Sequence, residues 1–162
     1  MSDKITRVYL IGSLRNPIVP KVAVALEDLG YTVFSSWFSP GPKADDYWRD
    51  YTKEKGLDYR GALLDPSAEH IFAFDHYYLD NSDMGILLMP AGKSCHLELG
   101  YMVGQGKPGY IVFNEVPERY DIMVKFANDI FFSIEEMIEE MKVCLENQEF
   151  PKRLAYAKFF PG

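Results

Sequence analysis

Glu98 is the residue of this sequence best suited to chemistry. It lies near the start of an amphipathic helical segment that directly follows an apolar run, and an acid at the carboxyl edge of a sheet can face a ligand crevice. Gly92, Lys93 and Ser94 lie about one helical turn before it, and a small residue, a lysine and a hydroxyl at a helix N-terminus suit a phosphate. The spacing predicts a site that holds an acid beside an anion-binding group.

A second candidate group lies in the predicted loop from Gly12 to Pro17. The loop offers a glycine, a hydroxyl and a guanidinium just before a helix, with Pro17 near its first turn. Amide donors and a bidentate arginine suit a phosphate or a carboxylate, whereas the same residues also suit a helix cap with a solvent-facing arginine. The candidate residues of this loop are Gly12, Ser13, Leu14 and Arg15.

Two more acids and an aromatic residue complete the set of candidates. Asp75 lies four residues before Leu79 on one face of a predicted helix and is expected to face the crevice. Asp83 directly precedes the third predicted strand, where it either contacts the ligand or is an ordinary polar residue at a helix end. Trp37, in an aromatic-rich stretch, either stacks on a planar base or packs beside the core.

The composition argues against several classes of protein. With a formal net charge of -7 and only short groupings of Lys and Arg, the chain is not expected to bind a nucleic acid polymer. Gly12 opens no dinucleotide-binding glycine pattern, and the residues around Lys93 lack the leading glycine of a P-loop, so we expect neither a dinucleotide cofactor nor an NTPase. No ligand-like register joins the histidines and cysteines apart from the adjacent Cys95 and His96, and no metal site is expected.

The cysteines and the first residues predict a cellular location. Cys95 and Cys144 show no Cys-x-x-Cys spacing, and no apolar run follows Met1. This pattern predicts a reduced, cytoplasmic protein without a signal peptide or a membrane span.

Apolar runs and helical patterns alternate along the chain. Five short strands joined by helices predict a parallel, doubly wound α/β sheet, in which ligands bind outside the carboxyl ends of the strands. With 48% hydrophobic content, the chain is expected to form a single domain over residues 1–162, with an irregular, aromatic-rich insertion at about 35–64. The predicted strands are 4–11, 31–34, 84–89, 110–113 and 129–132, and the predicted helices are 19–29, 45–64, 66–79, 94–104 and 133–147, the last with a capping box of Ser133 and Glu136.

Three motifs together resemble the nucleoside 2-deoxyribosyltransferase superfamily, which also contains the deoxynucleoside 5'-monophosphate N-glycosidases. The resemblance covers roughly residues 5–132. It implies a flavodoxin-like fold, cleavage of an N-glycosidic bond through a glycosyl-enzyme ester, and a homo-oligomer whose sites are completed across a subunit interface, for which residues 47–59 or 120–132 are the expected surfaces. The motifs are Tyr9-Leu-Ile-Gly-Ser-Leu-Arg15, the spacing of eight between Asp75 and Asp83, and Glu98-Leu-Gly-Tyr101 followed by Gly104-Gln-Gly-Lys107.

The same resemblance implies individual roles. Glu98 matches the nucleophile, Asp75 the acid that contacts the nucleobase and assists its departure, Asn128 a residue that reaches into a neighbouring subunit's site, and Tyr9 a part of the substrate-binding opening motif. An ionised carboxylate can capture an oxocarbenium-like sugar carbon, and a protonated acid lowers the barrier to loss of the base. We therefore expect Glu98 to stay ionised at neutral pH, helped by its helix N-terminus and by Lys93, and Asp75 to be protonated in a drier pocket.

Two features indicate a phosphorylated substrate. Family members that act on unphosphorylated deoxynucleosides commonly carry an acid six positions before the nucleophile, where this chain has Gly92. The Gly-Ser-Leu-Arg loop also resembles the Gly-Ser-Ile-Arg loop that holds the 5'-phosphate in the monophosphate glycosidases. The sequence therefore predicts hydrolysis of a 2'-deoxynucleoside 5'-monophosphate to free base and deoxyribose 5-phosphate, with base exchange between deoxynucleosides and a non-catalytic nucleotide-binding module as the alternatives.

Overall fold

A computed structural model describes residues 4–154 as a five-stranded parallel sheet with helices on both faces. The strands are β1 (Arg7–Ile11), β2 (Thr32–Phe34), β3 (Met84–Leu88), β4 (Gly109–Val112) and β5 (Asp129–Phe131). The helices are α1 (Val19–Leu29), α2 (Ala44–Glu54), α3 (Tyr59–Leu63), α4 (Pro66–Asn81), α5 (Lys93–Gly104) and α6 (Ile134–Asn147), and short 3-10 turns lie at Ser36–Phe38 and Ile122–Phe126. The predicted α/β fold is confirmed. The prediction of one domain over 1–162 includes residues 1–3 and 155–162, which lie outside the described residues, and it stays a prediction.

The order of the strands places a ligand crevice between β1 and β3. The sheet runs β2-β1-β3-β4-β5 with every neighbouring pair parallel, and Tyr9 of β1 lies between Phe34 of β2 and Gly85 of β3. The chain reverses its direction of winding between β1 and β3, so the segments that follow these two strands diverge to opposite faces. The crevice therefore opens at the carboxyl ends of β1 and β3.

Each face of the sheet has its own hydrophobic core. Along β1, Val8 and Leu10 face α1 and α6, whereas Tyr9 and Ile11 face α4 and α5, as the alternation of a strand requires. All five residues of β3 are buried, as expected of a central strand covered on both faces. The two cores hold the helices in place, and the second one, under α4 and α5, lies directly below the candidate site.

The ends of two helices follow directly from the sequence. In α1 the buried residues recur at helical spacing until Gly30, whose φ of 115° is the left-handed conformation that ends the helix. At the start of α6, Glu136 N donates to Ser133 Oγ at 3.1 Å, as predicted. The side chain of Glu136 accepts from Phe132 N instead of Ser133 N, so the reciprocal bond of the capping box is shifted by one residue.

The predicted helix at 45–64 is wrong in one respect, because the structure has two helices there. Gly56, with a φ of 77°, ends α2, and Asp58 begins α3 by accepting a hydrogen bond from Gly61 N at 2.7 Å. β1 also starts three residues later than predicted. The residues just before β1 are held by a side chain and not by a neighbouring strand, since Ile5 N donates to Gln148 Oε1 at 2.7 Å.

Candidate active site

Three of the predicted site residues come together on the face of the sheet that α4 and α5 cover. Tyr9 belongs to β1, Asp75 to α4 and Glu98 to α5, and the two carboxylates lie close enough to Tyr9 for both charges to raise the pKa of its hydroxyl. Helices α4 and α5 pack on the same face of the sheet, above the second core. The structure therefore groups a buried phenol with two acids.

Two glycines of the sheet allow α5 to lie close to it. A Cβ at Gly85 would lie 2.8 Å from Met102 Sδ, and one at Gly109 would lie 2.6 Å from Val103 Cγ2, both closer than non-bonded atoms approach. Glu98 is therefore carried to the rim of the buried interface, where it is half-buried. The residues of α5 that face the sheet are Cys95, Leu99 and Met102.

Tyr9 is the most deeply buried residue of the group. Its side chain is only 1% exposed, and the ring of Phe34 lies against it with centroids 5.0 Å apart. Burial raises the pKa of the Tyr9 hydroxyl, and the nearby charges of Glu98 and Asp75 raise it further. The hydroxyl therefore keeps its proton, and it lies close enough to Glu98 to lower the pKa of that carboxyl.

An aromatic stack fixes α4 and with it Asp75. The ring of Tyr78, one turn after Asp75, stacks on Phe34 with centroids 3.8 Å apart and planes at 4°. The start of α4 is capped by Asp65, whose carboxylate accepts from Ser67 N at 3.1 Å, with Pro66 as the first helical residue. Burial raises the pKa of Asp75, as the sequence predicted.

Burial makes Glu98 harder to ionise than the sequence predicted. Burial raises the pKa of Glu98 to about 7, the hydroxyl of Tyr9 opposes this rise, and the charge of Asp75 adds to it. Its Oε2 atom is buried without a hydrogen-bond partner among residues 4–154. The sequence suggested that Lys93 and the helix N-terminus keep Glu98 ionised, but desolvation is the larger effect at this position.

The loop after β1 combines both alternatives that the sequence left open. Ser13 Oγ accepts from Arg15 N at 3.1 Å, and Asn16 Oδ1 accepts from Ile18 N at 3.2 Å, so these side chains shape the turn into α1. The guanidinium of Arg15 is exposed and lies 3.7 Å from Asp46 of α2. The loop is therefore a helix entry that also presents one guanidinium, while Leu14 is half-buried within it.

Trp37 packs over the start of this loop. Its indole nitrogen donates to Leu10 O at 2.7 Å, and its ring would lie 3.4 Å from a Cβ at Gly12. The ring also packs against both cores. The structure therefore assigns Trp37 to core packing at the edge of the crevice, and Gly12 provides the space for its ring.

Gly92, Lys93 and Ser94 lie at the N-terminus of α5, all exposed. Gly92 is the N-cap residue, its carbonyl is bonded to His96 Nδ1 at 2.8 Å, and no atom lies within 4 Å of a Cβ placed on it. An open depression lies here, lined by Ala91, Gly92, Lys93, His96 and Leu97. This helix N-terminus is accessible to a ligand about one turn from Glu98.

Two predicted site residues lie at the opposite edge of the sheet. Asp83 precedes β3 and accepts hydrogen bonds from Thr6 N and Arg7 N at 2.9 and 2.8 Å. Its carboxylate thus binds the start of β1, away from the crevice, so the prediction that it contacts the ligand does not fit its position. The physical reason is that Asp83 comes before its strand, whereas ligand-binding residues of such sheets come after theirs.

Asn128 precedes β5 and lies at that same amino edge. Its Oδ1 accepts from Gly109 N at 3.1 Å, and its Nδ2 donates to Phe150 O at 3.0 Å. The side chain is 9% exposed. These bonds join β4, β5 and the segment after α6 within one chain, and the contact with a neighbouring subunit's site stays a prediction.

Sequence analysis missed Asp46, Arg49 and Asn16 near this site. Asp46 and Arg49 belong to α2, where a run of charges is the normal pattern of a solvated helix face. Asn16 stands just before Pro17, which is the ordinary position of a residue that begins a turn. No signal in the sequence distinguishes these residues, because their importance depends on how α2 packs beside the loop after β1.

Residues 4–154 contain neither a cluster of metal-binding side chains nor a helix that could span a membrane. Between residues 4 and 154, no group of three His, Cys, Asp or Glu side chains is placed to hold a metal ion. No helix in that range is long and apolar enough to cross a membrane.

Two solved structures share the architecture of this chain. The CMP N-glycosidase BcmB of Clostridium botulinum aligns with 84% of this chain and 98% of its own, at 15% identity and a TM-score of 0.53. A conserved protein from Enterococcus faecalis V583 aligns with 86% of this chain and 98% of its own, at 16% identity and a TM-score of 0.54. These likenesses show the fold alone. No family model matches the sequence, and comparison with curated proteins gives no match.

Proposed function

We propose that this protein cleaves the N-glycosidic bond of a nucleoside 5'-monophosphate, with 2'-deoxynucleoside 5'-monophosphates as the expected substrates and water as the acceptor. The observation that carries the proposal is the grouping of Glu98, Asp75 and Tyr9 between the sheet and helices α4 and α5. Glycosidases use two acids in one site, one that donates a proton and one that is ionised, and burial raises the pKa values of both acids here. The fold is shared with a CMP N-glycosidase, which supports the same class of reaction.

Glu98 has the role of nucleophile in this proposal. Its Oε2 atom is buried without a partner among the described residues, and a buried unpaired acceptor is costly unless a ligand meets it. The ionised oxygen attacks the anomeric carbon while the bond from that carbon to the base nitrogen breaks, and the electron pair leaves with the base. The result is an ester between Glu98 and the sugar phosphate.

Asp75 has the role of general acid and then of general base. Burial raises its pKa, which favours the protonated form that can donate a proton to the departing base. The resulting carboxylate then takes a proton from water as the water oxygen attacks the anomeric carbon of the ester, and the bond from that carbon to the Glu98 oxygen breaks. Free base and the sugar 5-phosphate are the products, and both acids return to their starting states.

The 5'-phosphate is assigned to the β1–α1 loop and the N-terminus of α5. Arg15 offers an exposed guanidinium, and Gly92 and Lys93 line an open depression at a helix N-terminus. No acid occupies position 92, where a carboxylate would repel a phosphate. These groups support a phosphorylated substrate over a free nucleoside.

Liquid chromatography tests the proposed reaction. Incubation with ribonucleosides, deoxynucleosides and their 5'-monophosphates should release free base from the monophosphates, and Glu98→Ala should lower this rate by at least about a thousandfold. Glu69→Gln, on an exposed face of α4, serves as the control and should keep the wild-type rate. A new nucleoside or nucleotide formed only after adding a second base identifies base exchange, whereas ligand binding without any product identifies a binding module.

A homo-oligomer forms part of the proposal. Beyond the two expected surfaces, α4 exposes Ile71, Phe72, Phe74 and Tyr77 beside Asp75, with between 47% and 65% of each side chain accessible. Contiguous exposed apolar side chains of this kind mark interaction surfaces. Sedimentation velocity should give a species larger than the monomer that Phe72→Glu dissociates, and a monomeric wild type would contradict the proposal.

A further inference from the structure

Two arginines from distant parts of the chain converge on one carboxylate beside the crevice. Arg15 Nη2, in the loop after β1, lies 3.7 Å from Asp46 Oδ2, and Arg49 Nη1, in α2, lies 3.7 Å from Asp46 Oδ1. Each oxygen of Asp46 therefore faces a different guanidinium. This is the arrangement that two arginines adopt around the oxygens of a phosphate.

The ion pairs that Asp46 forms with the two arginines can be replaced by contacts with another anion. The side chains of Arg15 and Arg49 are 72% and 55% exposed, and that of Asp46 is 38% exposed, so these ion pairs are screened by water and easily displaced. Arg49 also reaches Asp50, whose Oδ1 atom lies 3.2 Å from its Nε. The Nη1 edge of Arg49 is then directed to Asp46 while Asp50 holds the other side of the guanidinium.

Asn16 provides a second, independent observation from this loop. Its side chain is 8% exposed, and its Nδ2 atom is buried without a hydrogen-bond partner among residues 4–154. The Oδ1 atom of the same side chain is used in the turn to Ile18. A buried amide donor directly after Arg15 calls for an acceptor, and the oxygens of an anion are acceptors.

We propose that Arg49 is a second guanidinium of the phosphate site begun by Arg15, and that Asp46 holds the two guanidiniums until the substrate phosphate takes its place. This inference rests on the proposed function, since it names the residues that select a 5'-monophosphate over a nucleoside. Arg49 belongs to the aromatic-rich segment that the sequence analysis described as an insertion. The segment thereby acquires a role in substrate specificity.

The experiment compares Arg49→Gln and Asp46→Asn with the wild type, and uses Arg60→Gln on an exposed position of α3 as the charge-matched control. Isothermal titration with inorganic phosphate and with a 5'-monophosphate measures affinity, and kcat/KM for the monophosphate and its nucleoside measures selectivity. Arg49→Gln should weaken binding of the monophosphate by roughly tenfold, because one charge-assisted contact is lost, and should leave the nucleoside unchanged. Asp46→Asn should tighten binding of phosphate severalfold, because a competing negative charge is removed.

The outcomes separate this inference from the proposed function. If the wild type releases base from monophosphates and Arg49→Gln keeps the wild-type KM, the inference is wrong and the proposed function stands. If the wild type binds monophosphates but releases no base, the proposed function is wrong, and weaker binding by Arg49→Gln still supports the phosphate site. Failure of the wild type to bind phosphate or any monophosphate overturns both. A thermal midpoint of Arg49→Gln equal to that of Arg60→Gln shows that lost binding is not lost folding.

Discussion

The carboxyl group of Asp75 lies close enough to Glu98 for its charge to raise the pKa of Glu98, even though the two residues belong to different helices. Burial is the larger cause of that rise, and the Tyr9 hydroxyl opposes it. The ionised form of one acid disfavours ionisation of an acid beside it, so Glu98 loses its proton more easily when Asp75 is protonated. This coupling gives the pair a means of holding one proton near neutral pH, which is what an acid and a nucleophile in one site require.

The buried acid Glu98 should destabilise the protein at high pH. Its folded pKa of about 7 lies above the ordinary glutamate value of 4.5, so the folded state binds more protons than the unfolded state between these values and stability falls as pH rises through that window. Glu98→Gln cannot ionise and should be more stable than the wild type by about 3 kcal/mol above pH 7, at about 1.4 kcal/mol per pKa unit. Urea unfolding at pH 4 and pH 8 measures this difference. It should vanish at pH 4, and an equal difference at both pH values would mean that ionisation is not its cause.

Tyr9 should influence the pH at which kcat/KM rises on the acid side of its pH profile. The Glu98 nucleophile must be ionised, so kcat/KM should rise with pH up to about 7. Because the Tyr9 hydroxyl lowers the pKa of Glu98, Tyr9→Phe should move this rise to higher pH. Tyr110→Phe is the matched control, since Tyr110 is also fully buried but faces the other core, and its hydroxyl has no partner among the described residues. A pH–rate profile that shifts equally in both variants would show that Tyr9 has no specific effect.

The elements were predictable where the hydrophobic pattern is local. β3 appears as an uninterrupted apolar run, and α1 ends at Gly30, because burial and backbone freedom act within a few residues. Glu98 and Asp75 could be named as candidates for the same reason. The rise in the pKa of Glu98 could not be predicted, since it depends on how closely α5 approaches Gly85 and Gly109 across the sheet. The position of Asp83 at the amino edge of the sheet could have been predicted, because the sequence already places this residue before β3.

Replacement by asparagine should have different effects at Asp75 and at Asp83. Asp75→Asn removes the proposed proton donor, so turnover should fall by about a hundredfold or more, and the loss should be smaller for a substrate whose base leaves without protonation. Asp83→Asn should keep kcat/KM but lower the free energy of unfolding by about 1–3 kcal/mol, because the backbone amides of Thr6 and Arg7 lose a charged acceptor. Turnover rates with both kinds of substrate, together with urea unfolding, test the pair. Loss of turnover in Asp83→Asn at full stability would contradict the assignment of the two sheet edges.

Gly92 should govern the choice between phosphorylated and unphosphorylated substrates. Its φ of -89° is open to any residue, and a Cβ there meets no atom within 4 Å, so Gly92→Asp should fold normally and can cap α5 better than glycine does. The added carboxylate lies in the depression assigned to the phosphate, where repulsion should raise the KM for a monophosphate by about tenfold. The KM for the nucleoside should stay unchanged or fall. Gly92→Asn is the uncharged control, which caps the helix without the repulsion. Steady-state kinetics at low and high salt measure the effect, which should shrink at high salt because exposed charges are screened. If Gly92→Asn reduces selectivity as much as Gly92→Asp, steric blocking and not charge is the cause, and if neither variant changes selectivity, the phosphate does not bind at the N-terminus of α5.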